Sequence, residues 1–127
     1  MEYKDYVLCS THLDLTLESQ LGQVETINHY MDSVYADSRK PIFLCGDFNA
    51  VPDSPTLVML SEDWTVISEA APTYPADNPR KCIDYILALK NRAEYEVVKT
   101  EVCTELESAD VRTASDHLPV YVDVRIK

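Results

Sequence analysis

Glycine is nearly absent from this sequence, with only Gly22 and Gly46, and neither a repeat nor a biased segment is present, which excludes fibrous and low-complexity chains. No stretch approaches the roughly 20 consecutive apolar residues of a membrane-spanning helix. The start, Met1 to Asp5, lacks the basic-then-apolar pattern of a signal peptide. Cysteines are few and scattered (Cys9, Cys45, Cys82, Cys103), with no CxxC pair and no matching histidine spacing, so a zinc site is not expected. Basic residues are scarcest of all: 11 Lys+Arg stand against 22 Asp+Glu, a formal net charge of -11. A protein that grips nucleic acid without sequence preference needs a basic surplus, and Arg39-Lys40 and Arg80-Lys81 are too short to form a patch. Any phosphate chemistry here is local and helped by a cation.

What remains is an ordinary globular balance, 46% hydrophobic and 26% charged over 127 residues, and it predicts one compact domain. A chain of this size can bury roughly two-thirds of its unfolded surface without a metal or disulfide staple. The cysteines lie mostly within apolar runs and read as reduced, buried thiols, although Cys9 and Cys45 are candidates for neighbours on adjacent strands.

Tyr6 to Thr11 is apolar and β-prone and ends at His12-Leu-Asp14, a strand running into a loop. Leu17, Leu21, Val24, Ile27, Met31, Val34 and Tyr35 recur at three- and four-residue intervals, one face of a helix capped by Asp14 or Thr16. His29 falls off that face. After Pro41, the unbroken apolar run Ile42 to Cys45 predicts a strand buried on both faces. Strand, helix and strand at this spacing form a right-handed crossover between parallel neighbours, which brings His12 and Asp47 to the same sheet edge. Ser54-Pro55 caps a short helix over Thr56 to Leu60. Further strands are expected at Trp64 to Ser68, Cys82 to Leu87 and Tyr95 to Cys103, with the proline-rich stretch from Ala71 to Lys81 as a loop. The end alternates: Val120, Val122, Val124 and Ile126 form a dry face, Tyr121, Asp123, Arg125 and Lys127 a wet one.

Periodicity leaves His12, Asp47, Asn49, Asp84, Asp116 and His117 unexplained. All fall at strand edges or inside apolar strands, where propensity and desolvation oppose them. Each alone has an ordinary reading as a turn, a cap or a surface group. Together, two histidines, three aspartates and an asparagine at strand ends form the makings of a hydrolytic site. A histidine paired with Asp84 would make that interior carboxylate tolerable, and an Asp84–His117 hydrogen bond is expected.

Four blocks, Ser10-Thr-His-Leu-Asp14, Gly46-Asp-Phe-Asn-Ala50, Ile83-Asp-Tyr-Ile-Leu87 and Ser115-Asp-His-Leu-Pro-Val120, resemble in this order the signatures of the endonuclease/exonuclease/phosphatase superfamily, the DNase I-like fold. The loop Thr73 to Pro79 resembles that family's approach to the third block. The resemblance implies an α+β fold, half of a four-layer α/β/β/α sandwich with a mixed sheet and flanking helices. Residues 1–127 would be the C-terminal portion of such a domain, without its N-terminal half. It also implies a divalent-metal phosphoesterase that uses magnesium or manganese. Asp47 is similar to the residue that orients or deprotonates the attacking water, and Asn49 to one that binds phosphoryl oxygens or the nucleophile. His117 resembles the histidine on the phosphate, Asp84 its orienting carboxylate and His12 a second histidine on the phosphate. Asp116 and Asp47 are the implied metal-side carboxylates. The family's principal metal ligand, a glutamate of the N-terminal half, has no counterpart here, so weakened metal binding is expected.

The acidity favours a phosphorylated small molecule, monoester or diester, over nucleic acid. A nuclease and an inactive half-domain serving as an assembly module remain the alternatives. An uncovered sheet face predicts a homodimer or pairing with the missing half. Localisation stays open, with the cytoplasm as default and secretion or a periplasmic place open to a longer protein.

Overall fold

The computed structural model describes residues 1–127. Nine elements follow in order: β1 (Val7–His12), α1 (Leu17–Val34), β2 (Ile42–Asp47), α2 (Pro55–Asp63), β3 (Trp64–Val66), β4 (Asp84–Leu89), β5 (Tyr95–Val102), α3 (Val111–Ala114) and β6 (Val120–Ile126). β1, β2, β4 and β3 form a four-stranded sheet in that order, and β5 and β6 form a separate antiparallel ribbon. β1 and β2 run parallel, joined through α1 as the spacing predicts, while β4 is antiparallel to both β2 and β3, so the sheet is mixed. No helix is long and apolar enough to cross a membrane.

α1 starts where Thr16 accepts a hydrogen bond from the Ser19 amide, and α2 where Ser54 accepts one from Leu57, with Pro55 at the first helical position. Both helices pack on one sheet face. Val24 and Met31 of α1 and Leu57 and Leu60 of α2 meet Val7, Ile42, Leu44, Tyr85, Leu87 and Trp64 in the main core. The expected stripe on α1 is shifted: Leu17 and Val34 at its ends are exposed, and Gln20 is buried between Thr56 and the loops that follow β1 and β2. The opposite sheet face carries Leu8, Phe43, Cys45, Ile86 and Ala88, which alternate with the helix-facing residues. There the ribbon's Tyr95 packs edge-on against Phe43, with ring centroids 5.7 Å apart.

Several boundaries differ from expectation. β3 ends at Val66, and the third strand block runs from Asp84 to Leu89 rather than from Cys82. β6 alternates as predicted, yet none of its residues is fully buried, because the two-stranded ribbon has little behind it. The one-turn helix α3, capped by Asp110, has no periodic signature. All four cysteines are free. Cys9 and Cys45 lie on adjacent strands, but Cys9 is level with Leu44 and Cys45 with Ser10, so their side chains take opposite faces.

Candidate active site

The sheet register builds the site. His12 is paired with Asp47 across β1 and β2, and Asp47 with Asp84 across β2 and β4. Three chemically active side chains therefore stand abreast on the face away from the helices, at the C-terminal ends of β1 and β2 and the start of β4. His117 reaches the same row from the turn before β6. Its Nδ1 lies 2.8 Å from Asp84 Oδ2, the hydrogen bond expected from the sequence, and its Nε2 lies 3.7 Å from Asp47 Oδ2. His12 Nε2 approaches Asp47 Oδ2 to 3.5 Å, so one carboxylate oxygen is flanked by two imidazole edges. Those separations are ion-pair distances rather than hydrogen bonds.

The acceptor Asp84 fixes the tautomer of His117 with the proton on Nδ1 and leaves Nε2 toward the cleft. Burial opposes a charge on this ring. The hydrogen bond to Asp84 and the nearby charges of Asp84, Asp47 and Asp116 outweigh burial, and they raise the imidazole pKa above its ordinary value. Asp84 is steadied in turn by Thr73, a fully buried residue whose hydroxyl donates to Asp84 Oδ2. The Thr73 carbonyl accepts the Leu118 amide, and the Ala76 amide donates to the Asp116 carbonyl, so this loop also holds the backbone on both sides of His117.

Asn49 follows Asp47 in the left-handed region, φ 49°, a conformation that asparagine tolerates. Its amide donates to Asp47 Oδ1 at 2.8 Å, and its side-chain Nδ2 donates to the Leu13 carbonyl at 2.7 Å. One Nδ2 hydrogen and the side-chain oxygen remain for the cleft. Gln20 braces both loops by donating to the carbonyls of Asp14 and Asn49. Sequence reasoning overlooked Gln20 and Thr73. Gln20 had a signal, since it falls in phase with Val24, Ile27 and Met31, and Thr73 had one in opening the loop that resembles the family's approach to the third block, though nothing there marked its hydroxyl as a partner for Asp84.

A cleft of about 690 Å³ contains His12, Asp47, Asn49, Asp116 and His117, and Asp84 lies just behind them. All six residues singled out in the sequence are thus brought to one place. Asp116 stands on the rim, its side chain 76% exposed and its Oδ1 3.8 Å from His117 Nε2. Asp47, Asp84 and His117 form a group of possible metal-ligand atoms, all within 4.8 Å of one another.

No curated protein sequence matches the chain. Solved structures do. A conserved protein of unknown function from Enterococcus faecalis is 22% identical with a TM-score of 0.73, over 93% of this chain and 49% of its own. The mannosyl-6-phosphatase of Bacteroides thetaiotaomicron is 18% identical with a TM-score of 0.71, over 92% and 50%. The human nocturnin catalytic domain with bound sulfate anion is 19% identical with a TM-score of 0.68, over 93% and 46%. The chain spans about half the length of these structures, and the shared architecture is the α+β, DNase I-like one with a mixed sheet and flanking helices. The family model of the endonuclease/exonuclease/phosphatase family matches residues 32–117, most of the chain, with two of its four signature blocks whole and the fourth as far as His117, and by that match the chain belongs to this family.

Proposed function

We propose that this chain carries the phosphoryl-binding and water-activating part of a phosphoesterase, a hydrolase that cleaves a phosphate ester by in-line attack of water. The observation that carries the reading is the row His12–Asp47–Asp84 closed by His117. In-line attack needs a base at the nucleophile and positive donors for the equatorial oxygens, where charge develops. Asp47 orients the water and accepts its proton as the new P–O bond forms and the ester P–O bond opposite it breaks, and the departing alkoxide takes its proton from solvent. His117, held protonated by Asp84, donates from Nε2 to a phosphoryl oxygen, and His12 donates to a second. Asn49 offers its free side-chain N–H to the phosphate or the nucleophile. Both α1 and α2 begin at the cleft, which Leu17, Ser54 and Pro55 line, and their positive ends add to this field in an otherwise acidic protein.

The donor set suits a hard divalent cation in part. Asp84 and His117 satisfy each other, which leaves the carboxylates of Asp47 and Asp116 among those at the cleft, and one or two carboxylates with water are an ordinary complement for magnesium. Asp47 and Asp116 would hold magnesium or manganese, which when bound would offset charge on the phosphoryl oxygens. A net charge of -11 supports a phosphorylated small molecule over nucleic acid as substrate. The half-length coverage of the solved structures supports residues 1–127 as the C-terminal portion of a longer catalytic domain.

Hydrolysis of a generic chromogenic phosphodiester with magnesium tests the reading. Asp47→Ala and His117→Ala are each expected to lower the rate on the order of a hundredfold or more. A rate unchanged in both variants would remove the row from the chemistry.

A further inference from the structure

The cleft is larger and more apolar than a bare phosphate needs. Its volume of about 690 Å³ falls within the range of about 300–1,000 Å³ common for small-molecule sites. Beside the charged row, Leu15 and Leu17 from the start of α1 and Val51 from the loop after β2 line it, and these are 79%, 47% and 37% exposed. A solvated leucine is unremarkable singly. Three large apolar side chains lining one cleft, together with Ala50, Pro55 and Ile83, give it an apolar share that calls for a ligand. Leu17 belongs by spacing to the buried stripe of α1, yet it opens to the cleft while Gln20 takes the inner position.

We infer that Leu15, Leu17 and Val51 form an apolar subsite for the organic group of the phosphate ester, so that the preferred substrate carries an aromatic or aliphatic group beside its phosphate. The inference rests on the phosphoesterase reading of the charged row. The match is amphipathic: an anionic head meets His12 and His117, and an apolar body covers side chains that a sugar or other hydroxyl-rich group would leave poorly covered.

The test is a titration of the chain, in magnesium-containing buffer, with inorganic phosphate and with phenyl phosphate, followed by NMR of the histidine rings and leucine methyls. Phenyl phosphate is expected to bind on the order of tenfold more tightly than inorganic phosphate and to shift the Leu15 and Leu17 methyl resonances. The double substitution Leu15→Ser/Leu17→Ser should bring the ratio of the two affinities close to one. The single Leu15→Ser, at the most exposed of the three positions, should lower it part of the way. Equal affinities in the unsubstituted chain, or a preference that survives the double substitution, would overturn the subsite. In those outcomes His12 and His117 still respond to both anions, so the reading of the row stands. Rings that respond to neither anion would overturn that reading and the subsite with it. Self-association abolished by Leu15→Ser, with no preference for the aryl ester, would give the wall to a second copy of the chain and likewise overturn the inference.

Discussion

A neutral imidazole at position 117 would leave Asp84, whose side chain is only 17% exposed, without its charge partner. The raised pKa of His117 therefore links the site to folding. Because the folded value lies above the ordinary 6.5, the protonated ring stabilises the fold fully below pH 6.5, and that contribution is lost as the pH rises through the folded value. The His117 ring proton should titrate above 6.5 by NMR, and Asp84→Asn should bring its midpoint down. A midpoint at or below the ordinary value in the unsubstituted chain would contradict the pairing. At this scale the sequence was informative wherever a charged group interrupted an apolar pattern, as Asp84 does inside Ile83-Asp-Tyr-Ile. Gln20 and Thr73 escaped notice because a neutral polar residue in a helix or loop looks ordinary until its partners are seen. Asn49 was recognised, but its hydrogen bond to Leu13 was not, since that contact depends on how the loop after β1 folds back.

Among the elements, the junction of β1 and β2 is the least forgiving. Gly46 sits level with Thr11 at φ 149°, a conformation that side chains rarely adopt, and an added Cβ would lie 1.8 Å from the Thr11 carbonyl oxygen. Gly46→Ala must push the two strands apart beside Asp47. It should cost at least about 1–3 kcal/mol, read as a lowered urea midpoint, and should weaken anion binding as well. An unchanged midpoint would mean that the strands are less closely set than described. β2 and α1 were readable because an unbroken apolar run and a 3.6-residue rhythm are strong signals. α3 and the end of β3 were not, because one turn of helix or three residues of strand take their shape from tertiary contacts rather than from local pattern.

For the whole molecule, the half-length match to its structural relatives has a physical counterpart. Leu8 on the sheet face away from the helices, and Val97 and Val98 on the ribbon, are exposed apolar groups outside the cleft. Covering such surface is favourable at roughly 25 cal/mol per Å², and sedimentation is expected to show self-association of the chain at micromolar concentration. Addition of a complementary N-terminal half should suppress it. A stable monomer across that range would show that the surface tolerates water. The parallel crossover was legible from strand spacing and the meeting of distant histidines and acids from their places at strand ends, whereas the mixed sheet was implied only by the family resemblance. The separation of β5 and β6 into their own ribbon was not, because alternation along a strand says nothing about which partner it finds.

His12, Asp47 and Asp84 sit on three different strands whose spacing is fixed by backbone hydrogen bonds rather than by the side chains themselves. Exchanging any one of them alters a functional group and leaves its neighbours where they were. Such a scaffold can be refitted one position at a time without a new fold.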